Sequence, residues 1–477
     1  MKRRDFIAAS TTILGLSTGF GKPVKTARAV KSGNPPIYPD VSILMGMTDR
    51  EIRDVIKRGG PKGQAVLSAM IREREGTAPA LIGGFRYVNT TQLTGEILVC
   101  QRQSAEHKMV MDGSWGGCLA QMPNGKILLL DSSKRMCWSA DDGRTWSEPT
   151  TLGSPVSDWG VTGAVGALRD GTILVSGMSK GLPSTLPDPN KLGPPVEGYV
   201  SRSTDDGRSW EKPYHLDRLG YHILEPASHL RFLELQNGTI LLGVTGNPAR
   251  TLDKFYYSDG TEVPPPGNLV RADWRDHDQW IFRSNDGGRT WGKPTLLAEW
   301  GSETNFVQLP SGKIVATIRY QREWAVEDDD ARVIRASTDP NEPSYCSVFI
   351  DTFISESTDN GLTWSEPRKA SRYLEHPSDI VCLSDGTLVM IMGHKSFPQG
   401  PHAVWSRDEG RTWSQHFIAL HMDPKGAAGQ PSALVLEDDT ILVSYDRNTW
   451  DVKSTTNPPK TKYQLWVMRF KLPHNLT

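Results

Sequence analysis

The pattern Ser-x-Asp-x-Gly-x-Thr/Ser-Trp occurs five times in the chain, as SADDGRTWSEP from Ser139, STDDGRSWEKP from Ser203, SNDGGRTWGKP from Ser284, STDNGLTWSEP from Ser357 and SRDEGRTWSQH from Ser406. A chain that returns to one turn at intervals of about 50 to 80 residues is building one supersecondary unit repeatedly. Within the pattern, Ser and Asp side chains bond the backbone of a tight turn and Gly takes the positive φ that the turn needs. The Trp then folds back as an apolar plug. Five copies of one catalytic acid would be redundant, so Asp141, Asp205, Asp286, Asp359 and Asp408 read as turn residues.

A second motif interleaves with the first. QMPNGKILLL, ALRDGTILVS, ELQNGTILLG, QLPSGKIVAT, CLSDGTLVMI and VLEDDTILVS each place a short polar turn between apolar strands, the signature of a hairpin. Hairpin, variable loop, strand, turn and strand make a four-stranded antiparallel unit, and the fold class expected is an all-β, six-bladed propeller. The last unit, ending in YQLWVMRFKL, lacks an outer strand, which a strand from the N-terminal side supplies if it closes the ring. The hairpin-like piece FRYVNTTQLTGEILVCQRQ leaves seven blades as the alternative.

Composition narrows the partners. Lys and Arg number 54 against 55 Asp and Glu, a formal net charge of -1, which argues against a broad electrostatic grip on nucleic acid. The five cysteines, Cys100, Cys118, Cys137, Cys346 and Cys382, form no C-x-x-C pair and read as buried thiols, with one disulfide open in an oxidising compartment. The acidic loops around Trp274 and Val326 lack the spacing of a calcium loop, so neither a metal nor a cofactor is expected. Asp273, Asp276 and Asp278 remain candidates for a proton donor should burial raise a pKa.

The N-terminus reads as an export signal. Arg3 and Arg4 precede a mildly apolar stretch too short to span a membrane, and Ala27 and Ala29 offer a small-residue cleavage site. This resembles a twin-arginine (Tat) signal, with Phe6 at its apolar position and Lys2 where Ser or Thr is usual. The resemblance implies export through the Tat machinery to the periplasm or beyond. Residues 1–29 are then the signal, 30–83 an extension and 84–477 the propeller. In the extension, TDREIRDVIKRGG predicts a short helix with Thr48 as N-cap, Glu51 completing a capping box and Gly59 ending it.

The repeats resemble those of the sialidase (neuraminidase) superfamily, whose members carry such Asp boxes on a six-bladed propeller; the likeness runs from about Gly84 to the C-terminus. Hairpin turns and box turns fall at one end of each blade, so the working face is the other, where loops around 177–198, 246–278 and 320–346 converge. There GSETNFVQLPSGKIVATIRYQRE sets Glu303 where a first strand begins and Arg319 where the second ends. The resemblance makes Glu303 the glutamate that activates a tyrosine nucleophile and Arg319 an arginine that grips a substrate carboxylate. Glu225, before the third hairpin, joins them as a catalytic candidate.

Substrate contacts are expected from His229 and Arg322, from His376 and Asp379 before the fifth hairpin, and from Lys395, His402 and Arg447 after second strands. The final unit has Gln430 where the family places its tyrosine; Tyr320, Tyr373 or Tyr445 would have to replace it beside Glu303. Arg86, in GGFRYV, stands near the family's first arginine motif without its Ile-Pro, and the fifth unit offers no arginine. The expected activity is that of an exported glycoside hydrolase taking a terminal acidic or unusual sugar from a glycan or polysaccharide. A non-catalytic glycan- or protein-binding propeller and, less favoured, a uronate lyase are the alternatives.

Overall fold

The computed structural model describes residues 42–77, 106–179, 196–221, 223–226, 230–247, 277–323, 347–372, 375–394, 400–414, 417–421, 426–450 and 461–472, with short strands at 80–82, 85–87, 97–99, 255–256 and 262–263. Six antiparallel sheets follow one another along the chain as blades I to VI of a β-propeller. Their innermost strands are Cys118–Gln121, Val161–Ala167, Ile223–Glu225, Gly301–Gln308, Glu375–Cys382 and Gly426–Val435. The ring closes as the missing outer strand required: Glu106–Asp112 pairs antiparallel with Thr461–Phe470 and completes blade VI. Seven blades are thereby excluded, and Ile97–Val99, from the extra hairpin-like piece, instead adds a parallel fifth strand to blade V.

The core is six cores, one in each gap between neighbouring blades. Val165, Val175 and Trp210 lie with Leu128 and Leu130 between blades I and II, and Leu241, Ile281, Phe306 and Ile318 between III and IV. Because each sheet is covered on both faces, its strands read as unbroken apolar runs; all four residues of Ile127–Leu130 are buried. The tryptophan of each repeated turn plugs the gap to the preceding blade: Trp146, Trp210, Trp291, Trp364 and Trp413 each join a different inter-blade cluster. The turns share one hydrogen-bond scheme. In the first, Gly143 N–H donates to Ser139 Oγ at 2.9 Å, Thr145 N–H to Asp141 Oδ1 at 2.8 Å and Thr145 Oγ to Asp141 Oδ2 at 2.6 Å. Gly143 has φ +80°, and a Cβ there would lie 2.8 Å from Leu442, so both conformation and space demand glycine.

Among the described residues two α-helices precede the ring. α1 (Asp49–Arg58) has the expected caps: Thr48 accepts from Glu51 N–H while Glu51 accepts from Thr48 N–H, and Gly59 ends it at φ 66°. α2 (Gly60–Thr77) was not legible, because Gly60-Pro61 reads as a stop, whereas proline is equally at home in a first helical turn. The pair buries Ile52, Val55 and Val66, together with Leu44 from the 3-10 turn Ser42–Leu44 before it, against Tyr320 and Phe353 of blade IV. The segment before α1 also lengthens that blade's edge, with Gly46 N–H donating to Lys369 O and Lys369 N–H to Met47 O, both at 2.9 Å. Beneath it Lys369 and Asp351 form a wholly buried ion pair. Among the described residues no helix is long and apolar enough to cross a membrane.

Candidate active site

Glu303 reaches the axis because its strand is broken there. The pairing of Gly301–Gln308 with Ile314–Glu323 shifts register between Ser302 and Asn305, and Glu303 itself has φ 46°. Such a bulge re-aims a side chain, and a non-glycine residue at positive φ marks strain that the surrounding sheet must hold. Blade VI breaks its register at the same height, between Gly429 and Ser432, with Gln430 at φ 51°. Blade V does so between Glu375 and Ser378. Pro377 and Pro431 were the signal for two of these bulges, since proline is confined in sheets to edges and irregularities.

The bulge brings Glu303 to Arg319, whose Nη1 donates to Glu303 Oε1 at 2.9 Å while Nη2 donates to Gln321 Oε1 at 3.0 Å. The two side chains are 15% and 12% exposed, so the pair is largely desolvated while keeping a small exposed surface. Glu225, at the end of the innermost strand of blade III, is the third member. Burial and then the negative charge of Glu303 push its carboxyl up to about 7, with Arg319 pulling the other way. One carboxyl inclined to stay protonated at neutral pH thus sits within electrostatic reach of another paired with a guanidinium.

The other expected residues divide. Asp379 is fully buried: its Oδ1 accepts from Arg231 Nη2 at 2.6 Å and from Ile380 N–H at 2.7 Å, and its Oδ2 from Ala433 N–H at 2.7 Å. It ties blades III, V and VI across the axis, and burial raises its carboxyl despite the opposing Arg231 charge. Arg231, which sequence reasoning missed, also donates its N–H to Asn305 Oδ1 at 3.0 Å. His376 and His402 are likewise buried, at 6% and 1% exposure, the latter within blade V rather than at the axis. Burial and then the charge of His394 pull His402 down to about 4. Arg447 is half-buried with its guanidinium 5.6 Å from the Trp466 ring. His229, Lys395, Tyr373, Asp273, Asp276, Cys100 and Cys346 lie outside the described residues, as do the side chains of Arg86 and Arg322.

Two tyrosines are placed away from Glu303. Tyr320 stacks on Phe353 at 4.3 Å under α1 and α2, and Tyr445 is fully buried with its hydroxyl 3.0 Å from His107 Nδ1. At the same end of blade III, Tyr221 donates to Asp278 and Trp280 Nε1 donates to Tyr221 Oη at 3.2 Å. Burial raises the Asp278 carboxyl, against the Tyr221 hydrogen bond. Cys137 and Cys382 are free thiols, and the buried Cys118 donates its S–H to Gly163 O at 3.2 Å.

Comparison with known proteins agrees with the architecture. No family model matches the chain. A sialidase from Bacteroides fragilis (strain YCH46) is 27% identical over 172 residues, a match that spans 31% of this chain and 30% of that protein. Among solved structures, a protein of unknown function from Dyadobacter fermentans DSM 18053 superposes with TM-score 0.52 at 20% identity, covering 78% of this chain and 99% of that one. The Hadza microbial sialidase Hz136 gives TM-score 0.49 at 16% identity, covering 74% of this chain and 65% of that one. At 20% identity the likeness to the Dyadobacter fermentans protein is one of fold.

Proposed function

We propose that the chain is an exported, sialidase-like glycoside hydrolase that removes a terminal acidic or otherwise unusual sugar from a glycan or polysaccharide. The observation that carries the reading is the Glu225–Glu303–Arg319 cluster at the loop-bearing end of the axis. Glycoside hydrolysis needs one carboxyl that keeps its proton and one that has lost it, and unequal environments are how a fold sets the two apart. Glu225, raised to about 7 by burial and by Glu303, is the proton donor to the departing glycosidic oxygen. Glu303, held by Arg319, is the carboxylate that supports the positive charge developing on the sugar and directs the attacking group.

This allocation does not call on the tyrosine of the sialidase superfamily, and of its three candidates the two among the described residues, Tyr320 and Tyr445, are committed elsewhere. The partial likeness to the Bacteroides fragilis sialidase supports the substrate class. The Arg3-Arg4 segment supports Tat export to the periplasm or beyond, with residues 1–29 removed, an extension at 30–83 and the propeller at 84–477.

The test is sugar release by the chain from Val30 onward on sialosides and acidic polysaccharides, beside Glu225→Gln and Glu303→Gln. A released monosaccharide that both folded variants fail to produce supports the assignment. Folded parent protein that releases nothing but retains a glycan on an affinity column would make the propeller a binding module. An unsaturated, ultraviolet-absorbing product would make it a lyase.

A further inference from the structure

Blade V carries a second cluster, formed by residues of three adjacent strands at their loop-bearing ends. Glu375 opens the innermost strand, His394 ends the second and His402 lies in the third; Glu375 pairs with His394, and His402 pairs with Met392, two residues before His394. Their side chains are only 4%, 4% and 1% exposed. Glu375 Oε1 lies 3.5 Å from His394 Nδ1 and 3.8 Å from His402 Nδ1, and the two imidazoles are stacked with centroids 4.3 Å apart.

The anomaly is in the nitrogens. Among the described residues none of the four ring nitrogens of His394 and His402 has a partner at good hydrogen-bond geometry, the two Nδ1 atoms meeting only the shared Glu375 Oε1 at 3.5 and 3.8 Å, although all four are shut off from solvent. A buried polar group left without a hydrogen bond costs about 1–3 kcal/mol, and such groups in native proteins call for a partner of another kind, typically a water or an ion. Glu375 is meanwhile oriented from its other oxygen, which accepts from Arg372 N–H at 3.0 Å. A ligating carboxylate is commonly fixed by an outer hydrogen bond of this sort.

We propose that Glu375, His394 and His402 bind one divalent transition-metal ion, zinc foremost, in a site that pins the three strands of blade V together. Two neutral imidazoles and a carboxylate are a donor set suited to zinc and poorly suited to calcium or magnesium. One ligand atom from each of the three residues lies within 4.8 Å of the other two. Tetrahedral ligands at about 2.1 Å from zinc are roughly 3.4 Å apart, so side-chain rotations that close the cluster by roughly 1 to 1.5 Å bring the three donors to bonding distance, and a water takes the fourth position. With so little exposure the ion is structural, and the proposal stands apart from the hydrolase reading of the axis. The rival account is an ion-free cluster in which one Glu375 oxygen serves both Nδ1–H groups.

Metal content of the tag-free full chain decides between them. After saturation with zinc and gel filtration, the parent is expected to retain about one equivalent and folded His394→Asn and His402→Asn variants less than about a tenth of that. Zinc should raise the thermal midpoint of the parent alone. If the variants do not fold, cobalt(II) in the parent is the second reading: intense visible bands of a four-coordinate nitrogen and oxygen site support the proposal. A parent that retains neither zinc nor cobalt, or folded variants that retain as much zinc as the parent, overturns it.

Discussion

The two ends of the propeller use the same acidic side chains to opposite effect. At the turn-bearing end Asp141 and Asp205 stand in water, and hydrogen bonds from Thr145 and Ser209 hold their carboxyls down to about 2. A cavity of about 620 Å³ opens at that end too, yet three of the acids lining it are also held below their ordinary range: Asp385 by Thr387 N–H, Glu409 by Lys313 and Asp438 by Lys471. At the loop-bearing end the partly buried Glu225 and Asp278 and the buried Asp379 shift upward, whereas Glu375, although burial acts to raise it, is held down by His394 and His402. A depressed acid is a permanent acceptor and makes good glue. A raised acid can give its proton away, which supports placing the proposed chemistry beside Glu225, whatever the size of the cavity at the other end.

That contrast breaks first at the axis. Glu225→Gln or Glu303→Gln should cut glycan turnover by about 10³-fold or more while leaving circular dichroism unchanged, because a lost acid or base contributes about 10²–10⁴ and the pair acts as a unit. Asp141→Asn at the other end should leave turnover untouched. Equal losses at both ends would dissolve the distinction.

Stability separates the ends next. Asp379→Ala strips Arg231, Ile380 N–H and Ala433 N–H of one buried acceptor and should cost about 3 kcal/mol in denaturant unfolding, since an unpaired buried charge is left behind. A loss below about 1 kcal/mol would mean that water replaces the carboxylate at the axis.

A pH profile sharpens the comparison further. If Glu225 is the proton donor, activity should fall as pH rises through about 7. The sign for stability follows from the same shift: a folded-state pKa raised above the ordinary 4.5 gives a contribution that is full below about pH 4.5 and lost as pH rises through 7. Glu225→Gln should flatten that slope; a parent profile that is flat between pH 5 and 8 would remove Glu225 from the role.

Local pattern made one end legible and left the other half-read. The turn scheme, its tryptophan plug and ring closure from the N-terminal side all follow from short repeats, because each rests on contacts within a few residues or on counting strands. The Glu303–Arg319 pair was likewise readable, since the two residues face each other across one hairpin. Arg231 was not, because its partner Asp379 lies 148 residues away across the axis. Nor was the burial of His402, which depends on His394 and Phe417 stacking against it from neighbouring strands at 4.3 and 4.7 Å. The inward turn of Tyr320 depends on helices that the Gly60-Pro61 break concealed.

The smallest effect expected tests the glue itself. In the third turn Asp286 Oδ1 accepts from Thr290 N–H at 2.9 Å and Oδ2 from Thr290 Oγ at 2.5 Å, and although burial acts to raise this carboxyl, the hydrogen bonds prevail and hold it at about 2. Asp286→Asn keeps an oxygen for the N–H and offers its amide to a hydroxyl that can turn and accept, so it should cost less than about 1 kcal/mol, whereas Asp286→Ala leaves the turn N–H groups to water and should cost about 1–2 kcal/mol. The two also differ in pH. A depressed acid contributes stability that is present above its unfolded pKa and lost as pH falls from about 4 towards 2. That acid limb should shrink equally in both variants, since neither carries the titrating group, even though their stabilities at neutral pH differ. Were the Ala variant alone to lose it, the limb would belong to the turn's geometry rather than to its charge.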